Sequence, residues 1–233
     1  MYSGDYHREL RIPGATERIF GQKFRRYANW IQRFCPPGRA LDIGCSTGLL
    51  VRMLRDRGFD AEGLEMNSSS AAWGAEQYGV KVKNATLRDG LFEESSFQLV
   101  VMADVLEHTV TPLMYLGMVR RILRPGGYMF VSFPDVASLE SRYWLCLSRM
   151  TGKAWLWRNS HIPGHIWEFT RSVAERMFRQ AGFEVIAFRR SQPEPEVDLS
   201  LVGLLALPTQ LLRMPGINRL CGTQMEFLIR LVD

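Results

Sequence analysis

The sequence predicts a doubly wound α/β domain, a parallel sheet with helices packed on both faces. Short apolar runs of strand length recur at residues 40–43, 61–65, 97–103 and 128–133. Between them lie segments with helical apolar spacing, closed by Gly or Pro. Strands that alternate with helices over roughly ninety residues imply right-handed crossovers, and so a parallel sheet.

Each element has a local reason. In residues 16–34, Ile19, Phe24, Tyr27, Ile31 and Phe34 fall near helical spacing, which predicts a leading helix stopped by Pro36, Pro37 and Gly38. Residues 40–43 are a buried strand, and Thr47 or Gly48 opens a helix through Leu49, Leu50, Met53 and Leu54 that ends at Gly58. After the strand at 61–65, Asn67 or Ser68, Ser69 and Ser70 cap a helix ending near Gly79, and 80–82 is a third strand. The run FQLVVMA at 97–103 is the fourth. Thr111 and Pro112 start a helix, threonine as cap and proline in the first turn where its missing N–H is not needed. That helix presents Leu116, Val119 and Leu123 and stops at Pro125, before strand five at 128–133.

The rhythm breaks after Pro134. Residues 135–168 exceed an ordinary connection and hold four of the six tryptophans, Trp144, Trp155, Trp157 and Trp167, which predicts an insertion. Thr170 or Ser172 then caps a helix to Gly182, with Glu175 as capping-box partner of Ser172. Strands at 183–188 and 224–232 complete seven.

Composition narrows the function classes. With 233 residues the chain can bury one substantial core, so a single domain over 1–233 is expected, with an N-terminal helical lead at 1–37 and insertions at 135–168 and 193–222. The net charge of +5 arises from basic residues scattered among acids, without the stripe that phosphate contacts need, and nucleic acid is not the expected partner. Cys35, Cys45, Cys146 and Cys221 lie far apart with no C-x-x-C, which argues against a zinc knuckle or a disulfide scaffold and fits a reduced cytoplasm. Residues 1–20 lack the apolar core of a secretory signal. The apolar stretch 199–212 is shorter than the ~20 residues that span a bilayer and contains Pro208.

Gly44 and Gly48 bracket the turn after strand one, where backbone N–H groups face whatever lies beyond the strand ends. A dinucleotide fold places G-x-G-x-x-G there; Ser46 and Leu49 stand where its second and third glycines would be, which disfavours a pyrophosphate and a nicotinamide oxidoreductase. No lysine follows Gly48, so a G-x-x-x-x-G-K-[ST] phosphate loop is excluded. Glu65 ends strand two, placed to accept hydrogen bonds from a ribose diol. A wide turn plus this acid suggests an adenosine-type ligand without pyrophosphate, and S-adenosylmethionine fits.

The stretches LDIGCSTG (41–48), GLEMN (63–67), FQLVVMADVLEH (97–108), ILRPGGYMFVSFP (122–134) and GHIWEFT (164–170) resemble the class I S-adenosylmethionine-dependent methyltransferases, in particular the small-molecule group that includes ubiquinone-biosynthesis-type O-methyltransferases. The resemblance covers residues 38–188 and implies a seven-stranded, mostly parallel sheet whose last strand is antiparallel. It implies that Asp42 and the backbone of Gly44, Cys45 and Gly48 cradle the methionyl part of the cofactor, that Glu65 holds the ribose, that Met66 packs on the adenine, and that Ala103 and Asp104 line the sulfonium side. In place of the family's aspartate after strand three stand Asn84, Ala85 and Thr86, among which Thr86 is taken for the adenine amine; Gln98 stands where the family has aspartate.

Methyl transfer is an in-line displacement that chiefly needs alignment and exclusion of water, with a base when the acceptor is a hydroxyl. Histidine suits that work. His108 lies just beyond strand four, and the resemblance puts His165 near the acceptor pocket; both are the expected catalytic groups, with His161 a further candidate and His7 outside the site. The histidine spacing matches no compact ligand pattern, and no metal is expected. The end of strand four reads ADVLE and not [DN]-P-P-[YF], which points away from amino groups of adenine, cytosine or glutamine. A small hydroxylated acceptor is favoured, aromatic, glycosidic or lipid-linked, with N- or C-methylation and a non-catalytic cofactor-binding scaffold as alternatives. Tyr143, Trp144, Trp155, Trp157 and Phe169 could close over such an acceptor, with Arg142, Arg149, Lys153 and Arg158 at its edge. Residues 199–219 could cap the pocket, form a homodimer surface on an otherwise monomeric chain, or touch a membrane.

Overall fold

The alternation of side chains along a strand explains why the sheet can be covered on both sides. In the computed structural model, which describes residues 8–153, 165–191 and 222–232, the strand Phe97–Ala103 turns Leu99 and Val101 to one face and Val100 and Met102 to the other, all fully buried. Burial on both faces is what a continuous apolar run encodes. The strands are β1 (Arg39–Ile43), β2 (Asp60–Glu65), β3 (Val82–Asn84), β4 (Phe97–Ala103), β5 (Leu123–Pro134), β6 (Phe183–Ser191) and β7 (Gln224–Leu231). They form one sheet in the order β3-β2-β1-β4-β5-β7-β6. The pairs from β3 through β5 are parallel, while β7 runs antiparallel to both β5 and β6, as the family resemblance implies.

On one face, helix α1 (Ala15–Gln32) and helix α2 (Leu49–Arg55) bury Tyr27, Trp30, Ile31, Leu50 and Leu54 against Leu99, Val101, Phe130 and Leu228. On the other, helix α4 (Pro112–Ile122) and helix α6 (Arg171–Gln180) bury Leu116, Val119 and Phe178 against Val100, Met102, Val131, Phe133 and Phe227. Helix α3 (Ser68–Tyr78) starts at Asn67, whose side chain accepts from the Ser70 N–H at 2.9 Å, and ends at Gly79 with φ 61°. The chain winds outward from β1 to β3 and returns to β4 on the other side of β1. Strand order therefore reverses between β1 and β4, and their carboxyl ends open the crevice where such sheets bind ligands.

Several local expectations change. Strand three lies at 82–84, not 80–82, because Gly63, Leu64 and Glu65 pair with Val82, Lys83 and Asn84. Thr111 precedes α4 without a capping bond to the backbone. At α6 the cap is Thr170, which accepts from the Val173 N–H; no Ser172–Glu175 box forms, and Glu175 pairs with Arg171 at 2.6 Å. Leu123 opens β5 instead of closing α4. Part of the insertion at 135–168 is a regular helix, α5 (Leu139–Thr151), capped by Ser138. His7, Trp155, Trp157, Arg158, His161 and the segment 193–221 lie outside the described residues.

Asp135 joins the exits of β5 and β6 to the entry of β7. It is fully buried at the end of β5, its backbone N–H donates to the Thr223 carbonyl ahead of β7 at 2.7 Å, and its carboxylate accepts from Arg190 of β6 at 3.0 and 2.8 Å and from the Ala137 N–H at 3.0 Å. Removing one member of a buried pair strands the other charge. Asp135→Ala is expected to lower the unfolding free energy by about 3 kcal/mol, the lower end of the usual range because Arg190 keeps some solvent contact, as read by urea denaturation.

Candidate functional site

The turn after β1 has a left-handed backbone at three alternate residues, Gly44 (φ 73°), Ser46 (φ 50°) and Gly48 (φ 78°). A Cβ at Gly44 would sit 2.6 Å from Val105 Cγ2, and one at Gly48 would sit 2.8 Å from Val80 Cγ2. Both glycines therefore answer strain and space together, which accounts for their separation by four residues. The turn is pinned to β2, since the N–H groups of Gly44 and Cys45 donate to the Leu64 carbonyl at 2.8 and 3.2 Å. Thr47 is buried under α1, its hydroxyl 3.3 Å from that of Thr16.

Glu65 has more to do than the ribose role implied by resemblance. It is buried, and its two carboxylate oxygens accept the N–H of Ser46 at 2.9 Å and the N–H of Asn67 at 2.7 Å, tying the β1 turn to the exit of β2. Each oxygen retains acceptor capacity. Asp42 is buried beside it, and burial first, then the Glu65 charge, push its carboxyl well above the usual range. Met66 stands 52% exposed on the rim. Asn84 is engaged here through its amide, which donates to the carbonyls of Glu65 and Met66 at 2.8 and 3.0 Å, and both Asn84 and Thr86 are exposed.

At the end of β4, Ala103 is partly buried and Asp104 takes φ 57°. The Asp104 carboxylate accepts from Lys23 of α1, from Gln224 of β7 and from Ser132 of β5 at 3.2 Å. Burial by itself would push the Lys23 ammonium down, but Asp104, with smaller help from Tyr27 and Glu107, holds it above the ordinary lysine range. Sequence reading missed Lys23. Its signal is position, since Lys23 shares a helix face with Tyr27, Trp30 and Ile31 at i+4, i+7 and i+8.

Beyond Asp104 a short 3-10 turn, Leu106–His108, carries Glu107 and His108. The Glu107 carbonyl accepts the N–H groups of Ile166 and Trp167 at 2.9 and 3.0 Å, and the Trp167 indole donates to the Thr109 carbonyl at 2.9 Å. These bonds bring His165 against the turn. The His108 and His165 rings are 5.0 Å apart, edge to face, and His165 Nε2 lies 4.0 Å from Glu107 Oε1. Glu107 is fully buried with neither oxygen hydrogen-bonded; burial, then the Asp104 charge, raise its carboxyl well above the usual range. Sequence spacing gave no compact ligand set, yet ligand atoms of Glu107, His108 and His165 lie within 4.8 Å of one another and could hold a cation. A surface cleft of about 400 Å³ lined by Arg39, Glu62, Lys81 and Lys83 lies at the amino ends of β1 and β3, away from these groups, and its Glu62 is already paired with Arg39 and Lys81.

The donor set fits S-adenosylmethionine. The left-handed turn presents backbone at the strand ends, the Ser46 hydroxyl in it is buried without a partner, Glu65 keeps acceptor capacity, and Met66 offers an open apolar rim. Sheet order, glycine turn and the acid ending β2 together define the class I S-adenosylmethionine-dependent methyltransferase fold. The chain belongs to the methyltransferase domain family, which it matches over residues 19–187. Among curated relatives it is similar to the ubiquinone biosynthesis O-methyltransferase of Cereibacter sphaeroides, 30% identical over 155 residues that cover 64% of this chain and 61% of the relative. The match thus spans about three fifths of that relative's length. Among solved structures it is similar to a chain of the complex between the Haloferax volcanii Trm112 methyltransferase activator and a methyltransferase (TM-score 0.74, 16% identity, 99% and 97% of the two chains) and to an S-adenosylmethionine-dependent methyltransferase from Mesorhizobium loti (TM-score 0.58, 17% identity, 87% and 97%). At those identities the likeness concerns the fold. No helix among the described residues is long and apolar enough to cross a membrane.

Asp42 supplies a pH prediction. Its folded carboxyl lies above the unfolded value of 3.8, so the folded state binds the extra proton between the two values, and stability is full below that window and falls as pH rises through the raised value. Asp42→Asn removes this dependence. The unfolding midpoint of the variant, measured without cofactor, is expected to gain on the parent's as pH goes from 4 to 8.

Proposed function

We propose that this chain transfers the methyl group of S-adenosylmethionine to a hydroxyl of a small-molecule acceptor. The observation that supports this reading best is the pair His108 and His165 held beside the buried Glu107 at the carboxyl edge of β4. The bound cofactor would supply a methyl carbon activated by its positive sulfur. Asp42 and the backbone of Gly44, Cys45 and Gly48 would hold its methionyl end, with Lys23 and Asp104 setting the charge on the sulfonium side, Glu65 accepting from the ribose and Met66 covering the adenine. Ala103 would line the wall, and Thr86 is close enough in sequence to Asn84 to meet the adenine from outside. His165 would take the hydroxyl proton at an imidazole nitrogen, with His108 packed against it and orienting the ring. The name of the Cereibacter sphaeroides relative favours oxygen over nitrogen or carbon as acceptor atom.

In this reading 1–233 is a single domain, 1–37 its helical lead, and 135–168 and 193–222 its acceptor-side insertions, acting in the cytoplasm as a monomer or homodimer on an aromatic, glycosidic or lipid-linked molecule without nucleic acid. A second reading places a divalent cation on Glu107, His108 and His165, on the strength of their mutual distances. It predicts that exhaustive chelation abolishes transfer and that added zinc or magnesium restores it; retention of full activity after chelation leaves His165 as base.

Calorimetric titration with S-adenosylhomocysteine should show binding that Glu65→Ala weakens at least ~10-fold, while NADH gives no heat. His165→Ala is expected to lower kcat on a phenolic or other hydroxyl acceptor by roughly 10²–10⁴, with S-adenosylhomocysteine affinity held within about two-fold. Absence of any binding would overturn the cofactor assignment, and an unchanged kcat would remove His165 from the chemistry.

A further inference from the structure

The sheet carries a second concave surface, away from the crevice between β1 and β4. It is the cleft of about 400 Å³ at the amino ends of β1 and β3, where Arg39, Glu62, Lys81, Lys83, Leu91 and Phe92 line the walls and Glu93 stands exposed on the rim. Strand register explains why the charged side chains share one surface. Arg39 lies two residues before Leu41 and Glu62 two before Leu64, while Lys81 lies two before Lys83, which pairs with Leu64. A period of two turns all four to the face that buries Leu41 and Leu64. Beyond that core the same face is charged.

Each cation is held in place. Glu62, 7% exposed, accepts from Arg39 at 2.9 Å through Oε1 and faces Lys81 Nζ at 3.3 Å through Oε2. The Arg39 guanidinium also lies over the Phe97 ring, 4.5 Å from its centre, so it is fixed from two sides. Lys83 Nζ lies 4.9 Å from the centre of the Phe92 ring and donates to the Leu91 carbonyl at 3.2 Å. Phe92 in turn packs edge to face on Phe97 at 5.3 Å. One buried carboxylate and two rings thus preorganise three cations around an open volume.

Charge sets the sign of what the cleft can take. Its three cations face two acids, and one of those, Glu62, is already shared between Arg39 and Lys81. Lys83 forms no ion pair among the described residues. An arginine offers five N–H donors and a lysine three, so donor capacity remains on all three side chains after the bonds to Glu62 and Leu91. Leu91 and Phe92, both partly buried, add an apolar wall.

We propose that this cleft is a second ligand site, which takes a small molecule bearing two or more adjacent acidic groups, a diphosphate or a polycarboxylate. One acidic group meets the pair Arg39 and Lys81, and the next meets Lys83. A guanidinium held in a fixed plane suits the paired oxygens of a carboxylate or phosphoryl group. The volume is that of a small-metabolite site. It is separate from the cofactor crevice, since Glu62 precedes Glu65 by three residues, about 10 Å along β2. None of the residues assigned to methyl transfer takes part, so either assignment can fail alone.

The test is calorimetric titration of the full chain with inorganic pyrophosphate and, in a parallel series, with citrate, each with and without saturating S-adenosylhomocysteine. The parent is expected to bind at least one of the two anions, equally well in both conditions, and the one bound identifies the acidic group. Lys81→Gln/Lys83→Gln should weaken that binding roughly ten-fold or more, with S-adenosylhomocysteine affinity held within about two-fold and thermal unfolding unchanged, because both side chains are exposed. Arg176→Gln, which removes an exposed cation on α6, should leave anion binding unaltered. Binding of neither anion overturns the proposal. So does binding that the double variant leaves intact, that Arg176→Gln weakens equally, or that S-adenosylhomocysteine displaces, since the anion would then sit on general surface charge or in the cofactor crevice. If the chain binds no S-adenosylhomocysteine, the cofactor reading fails and the variants still decide the cleft.

Discussion

Two backbone N–H groups that face inward from different loops, those of Ser46 and Asn67, depend on a single carboxylate. Glu65 accepts from both, and with that one buried side chain the turn after β1 and the start of α3 become a fixed pair of walls. Charge-assisted bonds of this kind are stronger than neutral ones, and here they replace bonds that water would otherwise make to a turn with left-handed backbone at three positions. Asn84 extends the same support by bonding the carbonyls of Glu65 and Met66, which links the end of β3 to the clamp. The clamp is a structural necessity and a ligand surface at once, because a carboxylate with two accepted bonds still has lone pairs to offer.

A second buried charge network meets it from the other side of the switch point. Lys23 of α1 and Gln224 of β7 come from distant parts of the chain and converge on the carboxylate of Asp104, just past the end of β4. Burying Asp104 and Glu107 near each other would be unfavourable for two ionised acids; Lys23 answers the first, and the raised carboxyl of Glu107 relieves the second. The result is an edge at the end of β4 where Glu107 is buried while the Asp104 side chain stays 35% exposed.

Where local pattern decides, the sequence was readable. Strand four needed no tertiary information, because a seven-residue strand buried on both faces, with only Gln98 and Ala103 half-buried, reads as an apolar run in any context. The leading helix, the Asn67 cap and Gly79 stop of α3, and the proline start of α4 were equally plain, since caps act through neighbours within a turn. Strand three was displaced by two residues because its short sequence barely alternates, and its register is chosen by β2. The Ser172–Glu175 box failed for a related reason: Arg171 competes for the same glutamate one turn away on an exposed surface. Helix α5 was hidden because its inward face is polar, so its burial runs against the pattern by which helices are recognised.

The sequence by itself determined the alternation of elements, the glycine turn and the acid that ends β2, because each is encoded within a few residues of itself. It also supplied His108 and His165 as candidates by type. Only the tertiary structure decided that Glu107 lies buried between them and Asp104, that Lys23 reaches Asp104 across the sheet, and that Glu65 is already bonded to two loops. The Ser46–Glu65 and Lys23–Asp104 contacts join residues 19 and 81 positions apart, and His165 is brought to Glu107 through the docking of 166 and 167 onto the Glu107 carbonyl. No periodicity reports them, because they follow from which strands lie side by side, and strand order is set by the packing of the whole sheet.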